Sequence, residues 1–222
     1  MVGDIASRRD QLVRSYPKWT PRTLDSWLDH CAQLYPDRPL VLADGVALTY
    51  ADVAAQSKKF ADGLVALGVG RGDRVGLLMA NHPEFVALKF AIARTGATAV
   101  PFNYLYRRNE LEYVLRQSEC RVLISMTIHS QLDYQRMLDE IAPGWDDATF
   151  GERAPSDDDK VPHLRSVVVL DTGRTPRTHA MTVESLVNAG RLHDHAGEGY
   201  RADPNDVGDI LYTSGTTGSP KG

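Results

Sequence analysis

The last ten residues of the 222-residue chain, Thr213-Ser214-Gly215-Thr216-Thr217-Gly218-Ser219-Pro220-Lys221-Gly222, concentrate groups that can hold a phosphate. Gly215, Gly218 and Gly222 let the backbone bend tightly and bring its N–H groups close to a ligand. The hydroxyls of Thr213, Ser214, Thr216, Thr217 and Ser219 can donate to phosphate oxygens or accept from bound water. Lys221 adds a point charge on a flexible stem, able to reach a β- or γ-phosphate. No acidic residue in the run repels an anion. The string is not the common Gly-x-x-x-x-Gly-Lys-Ser/Thr pattern, because Lys221 follows Pro220 and precedes Gly222. Composition alone would also suit a plain polar surface loop.

Such a loop needs a strand to carry it and a core to hold the strand. Asp209-Ile210-Leu211-Tyr212 reads as that strand. Far upstream, Leu40–Ala43 and Val46–Thr49 flank Asp44-Gly45, a pair typical of a tight hairpin turn. Thr49 and Asp52 have capping-box spacing and predict a helix start. Val53, Phe60, Ala61, Leu64 and Leu67 recur at helical spacing, and Gly68 and Gly70 end the run. Arg74–Met79 reads as a buried strand. Pro83 opens a helix whose inner face is Phe85, Leu88 and Ile92, and Gly96 stops it. Ala97–Phe102 is the next strand. Asn109 and Glu112 are expected to cap a helix carrying Leu111, Val114, Leu115 and Ser118. Arg121–Ser125 and Val167–Leu170 are further strands. Residues 142–162 read as a solvated loop around the acidic run Asp157-Asp158-Asp159, and residues 188–206 as loop-rich. Strands alternating with helices predict an α/β fold, a mostly parallel sheet flanked by helices.

Bulk composition excludes several classes. The chain is 42% hydrophobic and 24% charged, ordinary for a globular protein. A net charge of -4 argues against a nucleic-acid partner. Cys31 and Cys120 are far apart with no CxxC, which argues against a zinc site or disulfide framework and suits a reducing compartment. Arg8, Arg9 and Arg14 precede no apolar run, so residues 1–16 do not read as a secretory signal. No apolar stretch is long enough to span a bilayer. The expectation is a cytoplasmic protein without a transmembrane segment, with peripheral membrane contact and a homodimer left open.

The string Tyr212–Gly222 resembles the phosphate-binding signature of adenylate-forming enzymes, the family of acyl-CoA synthetases and AMP-dependent ligases. Leu48-Thr49-Tyr50-Ala51-Asp52-Val53, Gly72-Asp73-Arg74-Val75, Asn81-His82-Pro83-Glu84-Phe85, Ala93–Ala97, Val100–Asn103 and Glu110–Leu115 follow the family's pattern as well. The resemblance covers roughly residues 23–125 and 204–222. It implies that residues 1–222 are the N-terminal part of the family's large AMP-binding domain, truncated, with an irregular region about 142–163, the phosphate-binding loop at 212–222, and no C-terminal domain. It implies ATP, Mg2+ and coenzyme A as partners of a small-molecule carboxylate. The acid attacks the α-phosphate of ATP, and a thiol then displaces AMP. Thr213, Ser214, Gly215, Thr216, Thr217 and Gly218 would cradle the β- and γ-phosphates. Thr216 would help hold Mg2+, and Lys221 would act as the catalytic cation on the departing pyrophosphate. The expected substrate is a fatty acid or other apolar carboxylate. Asn103 stands where many peptide-synthetase modules carry an acidic residue, which favours a CoA ligase. The family's adenine contacts, hinge and second catalytic lysine lie downstream of this loop, so the 222 residues alone are expected not to complete the reaction and to be marginally stable. The alternatives are a non-catalytic nucleotide- or partner-binding module, or a family member with a different acid or acceptor.

Other residues are assigned bland roles. His82 is expected to be a solvated residue at a helix start rather than a base. His193 and His195 have i, i+2 spacing that does not face one ligand. The Asp157–Asp159 run is expected to be solvated, Trp19 and Trp27 to be packing residues, and Arg107-Arg108 to be a charged turn.

Overall fold

A computed structural model of the chain describes residues 5–15, 20–43, 45–146, 153, 159–192, 202–213 and 222. In chain order the elements are α1 (Ile5–Ser15), α2 (Leu24–Leu34), β1 (Pro39–Ala43), β2 (Val46–Thr49), α3 (Tyr50–Ala66), β3 (Arg74–Leu78), α4 (Pro83–Arg94), β4 (Thr98–Pro101), α5 (Arg108–Ser118), β5 (Val122–Met126), β6 (Ile128–His129), β7 (Leu132–Asp133), α6 (Tyr134–Ile141), β8 (Ser166–Leu170), β9 (Met181–Thr182) and α7 (Val183–Arg191).

The central sheet has the order β4-β3-β5-β8-β9, and every pairing in it is parallel. Val75, Leu77, Leu78, Val100, Leu123, Ile124, Val168 and Val169 are fully buried, as strands covered on both faces require. The step from β3 to β4 through α4 runs one way across the sheet, while α5 and α6 carry the chain back the other way. Right-handed crossovers then place α4 opposite α5 and α6. The packing agrees: α3 lies against α4 and α7, and α5 against α6.

Local chemistry accounts for the element boundaries. β1 and β2 form the antiparallel hairpin, with Ala43 opposite Val46 and Gly45 at φ +79°, a conformation glycine adopts at little cost. The Thr49 side chain accepts from the Asp52 N–H at 3.1 Å, and the Asp52 carboxylate accepts from the Thr49 N–H at 2.9 Å, closing the capping box of α3. Gly68 at φ +74° turns the chain out of α3, so the stop belongs to Gly68 rather than Gly70. Pro83 is the first residue of α4, and Gly96 at φ +74° follows it.

Several expectations are corrected. The start of α5 lies two residues earlier than Asn109: the Arg107 N–H donates to the Glu110 carboxylate at 2.9 Å, so Glu110 and not Glu112 serves the first turn. Its buried face is Leu111, Val114, Leu115 and Ser118, as expected. Phe85 is only partly buried, and Ala87, Leu88, Ala91 and Ile92 form the inner face of α4. The loop-rich reading of residues 188–206 gives way at its start, since α7 continues to Arg191. Within residues 142–162, Asp159 is not solvated. Its side chain is 2% exposed, forms an ion pair with Arg153 and accepts from the Val161 N–H. Arg153 also donates to the Leu164 carbonyl at 3.2 Å. Asp157 and Asp158 lie outside the described residues. Trp27 is 52% exposed rather than packed, with the Arg22 guanidinium 4.7 Å from its ring centre; Trp19 lies outside the described residues.

Gly190 inside α7 has a packing reason. A Cβ there would stand 2.6 Å from the Gly63 nitrogen and 2.8 Å from the Asp62 carbonyl carbon, both backbone atoms of α3. Neither can swing aside as a side-chain tip would. Gly190→Ala would gain about 1 kcal/mol of helix propensity. Overpacking against backbone costs typically 1–3 kcal/mol and occasionally more. We expect net destabilisation, read as a fall in the thermal midpoint of several degrees; an unchanged or raised midpoint would refute the close helix crossing.

Candidate phosphate site

The segment that leads into the Gly/Thr-rich loop lies along the outer edge of β4. The strand expected over 209–212 does not form; instead the segment meets β4 at a parallel bridge between Ala99 and Asp209. The Ala99 N–H donates to the Gly208 carbonyl at 2.9 Å, and the Ile210 N–H to the Ala99 carbonyl at 3.0 Å. Because the pairing is parallel, the chain leaves toward the carboxyl end of β4. Loops at the carboxyl ends of parallel strands are where α/β sheets take ligands. The topological switch point is elsewhere, between β3 and β5, whose following helices run in opposite directions.

Side chains fasten this segment from three directions. Arg71 holds Asp206 bidentately, Nε at 3.0 Å and Nη2 at 2.7 Å. The Thr98 hydroxyl donates to the Val207 carbonyl at 2.9 Å. Lys89 of α4 meets Asp209 at 2.7 Å. Asp203 and Asp206 close a turn, with the Asp206 carboxylate accepting from the Asp203 N–H at 2.8 Å. The Arg71 guanidinium, then that backbone donor, hold the Asp206 carboxyl below its ordinary range.

Tyr212 is half-buried. Burial pushes its hydroxyl above the ordinary tyrosine range, and Cys120, Tyr113 and Tyr106 nearby add to the effect. Gly222 sits against the same ring: a Cβ there would be 2.7 Å from the Tyr212 Cζ. The residues immediately before Thr213 and after Lys221 are therefore side by side. Thr213 is exposed. Ser214, Gly215, Thr216, Thr217, Gly218 and Lys221 lie outside the described residues, as do His193 and His195.

The remaining candidates take structural places. His82 caps the start of α4 without a side-chain bond to it. Arg107 precedes α5, and Arg108 pairs with Glu112 at 2.9 Å and Glu140 at 3.5 Å. Asn103 accepts from the Leu105 N–H at 2.9 Å, a turn contact. Cys120 is buried and free, its thiol pushed up to about 12 by burial. Among the described residues no group of three or more His, Cys, Asp or Glu could hold a metal, and no helix is long and apolar enough to cross a membrane. Sequence reasoning missed the clamps on Asp206 and Asp209: Arg71 and Lys89 lie 135 and 120 residues from their partners.

Comparison with known proteins points one way. A family model described as AMP-binding enzyme matches residues 28–222. The medium-chain acyl-CoA ligase ACSF2, mitochondrial, of Danio rerio is 32% identical over 208 residues, covering 90% of this chain and 33% of the relative. The acyl-CoA synthetase YngI of Bacillus subtilis is 31% identical, with 90% and 35% covered. The chain thus spans about a third of the length of the curated relatives it matches. Among solved structures, the N-terminal domain of FACL13 from Mycobacterium tuberculosis superposes with a TM-score of 0.64 at 28% identity, covering 90% of this chain and 43% of that one. The anthranilate CoA ligase AuaEII in complex with anthranoyl-AMP gives 0.71 at 23% identity, covering 92% and 35%, a likeness of fold alone. The parallel sheet, the Gly/Thr-rich string in the sequence and the match over residues 28–222 lead to one conclusion: the chain belongs to the AMP-binding enzyme family.

Proposed function

We propose that the chain forms the N-terminal part of an ATP-dependent acid–CoA ligase and carries its phosphate-binding loop. The observation that carries this reading is the string Thr213–Gly222, with hydroxyls, glycines and one lysine and no carboxylate, preceded by a segment that pairs parallel with β4 at Asp209. Its donor set fits a nucleoside triphosphate with Mg2+. Hydroxyl oxygens suit a hard cation that is held mainly by phosphate oxygens and water. Thr213, Ser214, Gly215, Thr216, Thr217 and Gly218 hold the β- and γ-phosphates, Thr216 shares the Mg2+, and Lys221 balances the charge that gathers on departing pyrophosphate. ATP would supply the adenylyl group to which the carboxylate is joined, with pyrophosphate leaving; coenzyme A would supply the thiol that displaces AMP. We assign a fatty acid as the substrate, supported by relatives described as acyl-CoA ligases, and a cytoplasmic setting, supported by two free cysteines.

The 222 residues alone hold the phosphate half of the site and do not complete the reaction. The test is pyrophosphate release from ATP by the product of the whole reading frame, over carboxylic acids of graded chain length. Release with fatty acids is expected; release confined to amino acids would overturn the substrate assignment. Acyl-CoA formation by the purified 222-residue chain would overturn the division of labour. A reading frame that stops after Gly222 would favour a non-catalytic nucleotide- or partner-binding module.

A further inference from the structure

We propose that the ion pairs Arg71–Asp206 and Lys89–Asp209 are a register lock: they fix how far along β4 the loop-bearing segment lies, and so where the phosphate loop begins. The lock concerns Arg71, Lys89, Asp206 and Asp209 and rests on the phosphate-binding reading only for its functional consequence.

The backbone leaves this register weakly specified. One bridge with two hydrogen bonds joins residues 208–210 to Ala99. A strand pair of ordinary length repeats such bonds over several residues; among the described residues the backbone contact with β4 shows only these two. A one-residue slip would turn every side chain to the opposite face. Tyr212 would leave the surroundings of Cys120, Tyr113 and Tyr106, and Thr213 would exchange faces with it. A two-residue slip would keep the faces but move the loop's start by roughly 7 Å, at about 3.3 Å per residue. Val207 and Leu211, 61% and 64% exposed, resist neither slip, and of the segment's apolar residues only Ile210 and Tyr212 pack partly against the core.

The side chains supply what the backbone lacks. Arg71 comes from the turn before β3, Thr98 from β4 and Lys89 from α4, so residues 206, 207 and 209 are tied to three separate parts of the fold. The Arg71 fork meets both Asp206 oxygens, an arrangement with one geometry rather than a general attraction. Asp209 is the bridge residue itself, so Lys89 pins the point where the two strands meet. Exposed ion pairs add little to global stability. Arg71 is 62% exposed. The pairs therefore matter for position more than for melting, and that difference makes the idea testable.

Two readouts separate the lock from the phosphate reading. The first is amide hydrogen exchange at Ala99 and Ile210 in the 222-residue chain, for Arg71→Met, Lys89→Met and the double variant. We expect exchange at both amides to speed up roughly three- to ten-fold, the range that one or two such pairs account for, with the thermal midpoint nearly unchanged. Unchanged exchange overturns the lock, as does acceleration spread evenly over the sheet with a fallen midpoint. The charge-swapped chain, Lys89→Asp with Asp209→Lys, should recover protection; failure to recover while Lys89→Met is impaired would mean that charge is not what holds the register. The second readout is the KM for ATP·Mg2+ in the product of the whole reading frame, which should rise by a similar factor in Lys89→Met with little change in the KM for the acid. Faster exchange with an unchanged KM for ATP would keep the lock and sink the link to phosphate binding. An unchanged KM in Lys221→Ala as well would place the failure in the functional reading itself.

Discussion

Asp29→Ala is expected to lower the thermal midpoint far more than Arg94→Met, although the two substitutions remove the same ion pair. Arg94 is 9% exposed and makes two bonds to the Asp29 carboxylate, at 2.9 and 2.5 Å, and a third to the Ser57 hydroxyl at 2.9 Å. The pair joins α2 to α4, with Ser57 of α3 beneath it. Asp29 lies nearer the surface and has Lys58 at 3.9 Å as a second cation. Removing Arg94 leaves a half-buried carboxylate that water and Lys58 can serve, and methionine fills the space. Removing Asp29 leaves a buried guanidinium with one neutral partner. Breaking a buried pair from that side costs about 3–5 kcal/mol; we take roughly 3 because Asp29 is partly solvated. For a chain of this length that is roughly 6–12 °C in the midpoint, at about 2–4 °C per kcal/mol. Arg94→Met should cost about 1 kcal/mol, since a buried ion pair replaced by packed apolar groups is often close to neutral. Equal losses from both variants would refute this asymmetry.

The same pair sets a pH dependence. Burial alone would raise the Asp29 carboxyl, but the hydrogen bonds and charge of Arg94, with Lys58, more than offset it and hold it below the ordinary value of 3.8. A folded-state value below the unfolded one favours the fold above the ordinary carboxylate range and loses that contribution as pH falls through the lower value. The gap between the parent chain and Asp29→Ala should therefore be constant near neutrality and close below about pH 3.8. A gap that widens on acidification would contradict the sign.

What the sequence made legible was local. Thr49 and Asp52 announce α3 because a capping box is built within four residues. Asp44-Gly45 announces the hairpin because a tight turn needs a residue at positive φ. The family is legible because the Gly/Thr-rich string is long and its groups share one chemistry. What stayed hidden was non-local. Arg94 looks like an ordinary basic residue near a helix C-terminus, and nothing in the chain says that Asp29, 65 residues away, closes over it. Arg153 and Asp159 sit in a Pro-, Gly- and Asp-rich stretch whose composition reads as solvent-exposed, yet the ion pair is buried. Gly190 helped make the end of α7 look like a loop, because a glycine needed for close helix contact and one needed for a turn are the same letter. The start of α5 slipped by two residues because Arg107/Glu110 and Asn109/Glu112 both offer the capping spacing. The segment before the loop reads as a strand, but it meets β4 at the single bridge Ala99–Asp209, and the side chains that also hold it, Arg71, Thr98 and Lys89, lie far upstream in the chain.

The largest functional effect is expected at Lys221. Adenylate formation creates negative charge on a departing pyrophosphate that the ground-state triphosphate does not carry at the same oxygen. A cation placed there stabilises the transition state more than the bound substrate. Lys221→Ala in the product of the whole reading frame should therefore lower kcat for pyrophosphate release by roughly 10²–10³, the loss typical of removing one preorganised electrostatic partner, with a much smaller rise in the KM for ATP and none for the acid. Lys221→Arg should recover only part of the rate, because the wider planar guanidinium keeps the charge but not the point geometry. Thr216→Val should differ in kind: if its hydroxyl shares the Mg2+, the loss is relieved in part by raising Mg2+, whereas the Lys221→Ala loss is not. The two variants thus separate a metal ligand from a leaving-group cation. A Lys221→Ala protein whose kcat is unchanged and whose KM for ATP alone rises would make Lys221 a ground-state phosphate contact, and the charge-balancing role would fall.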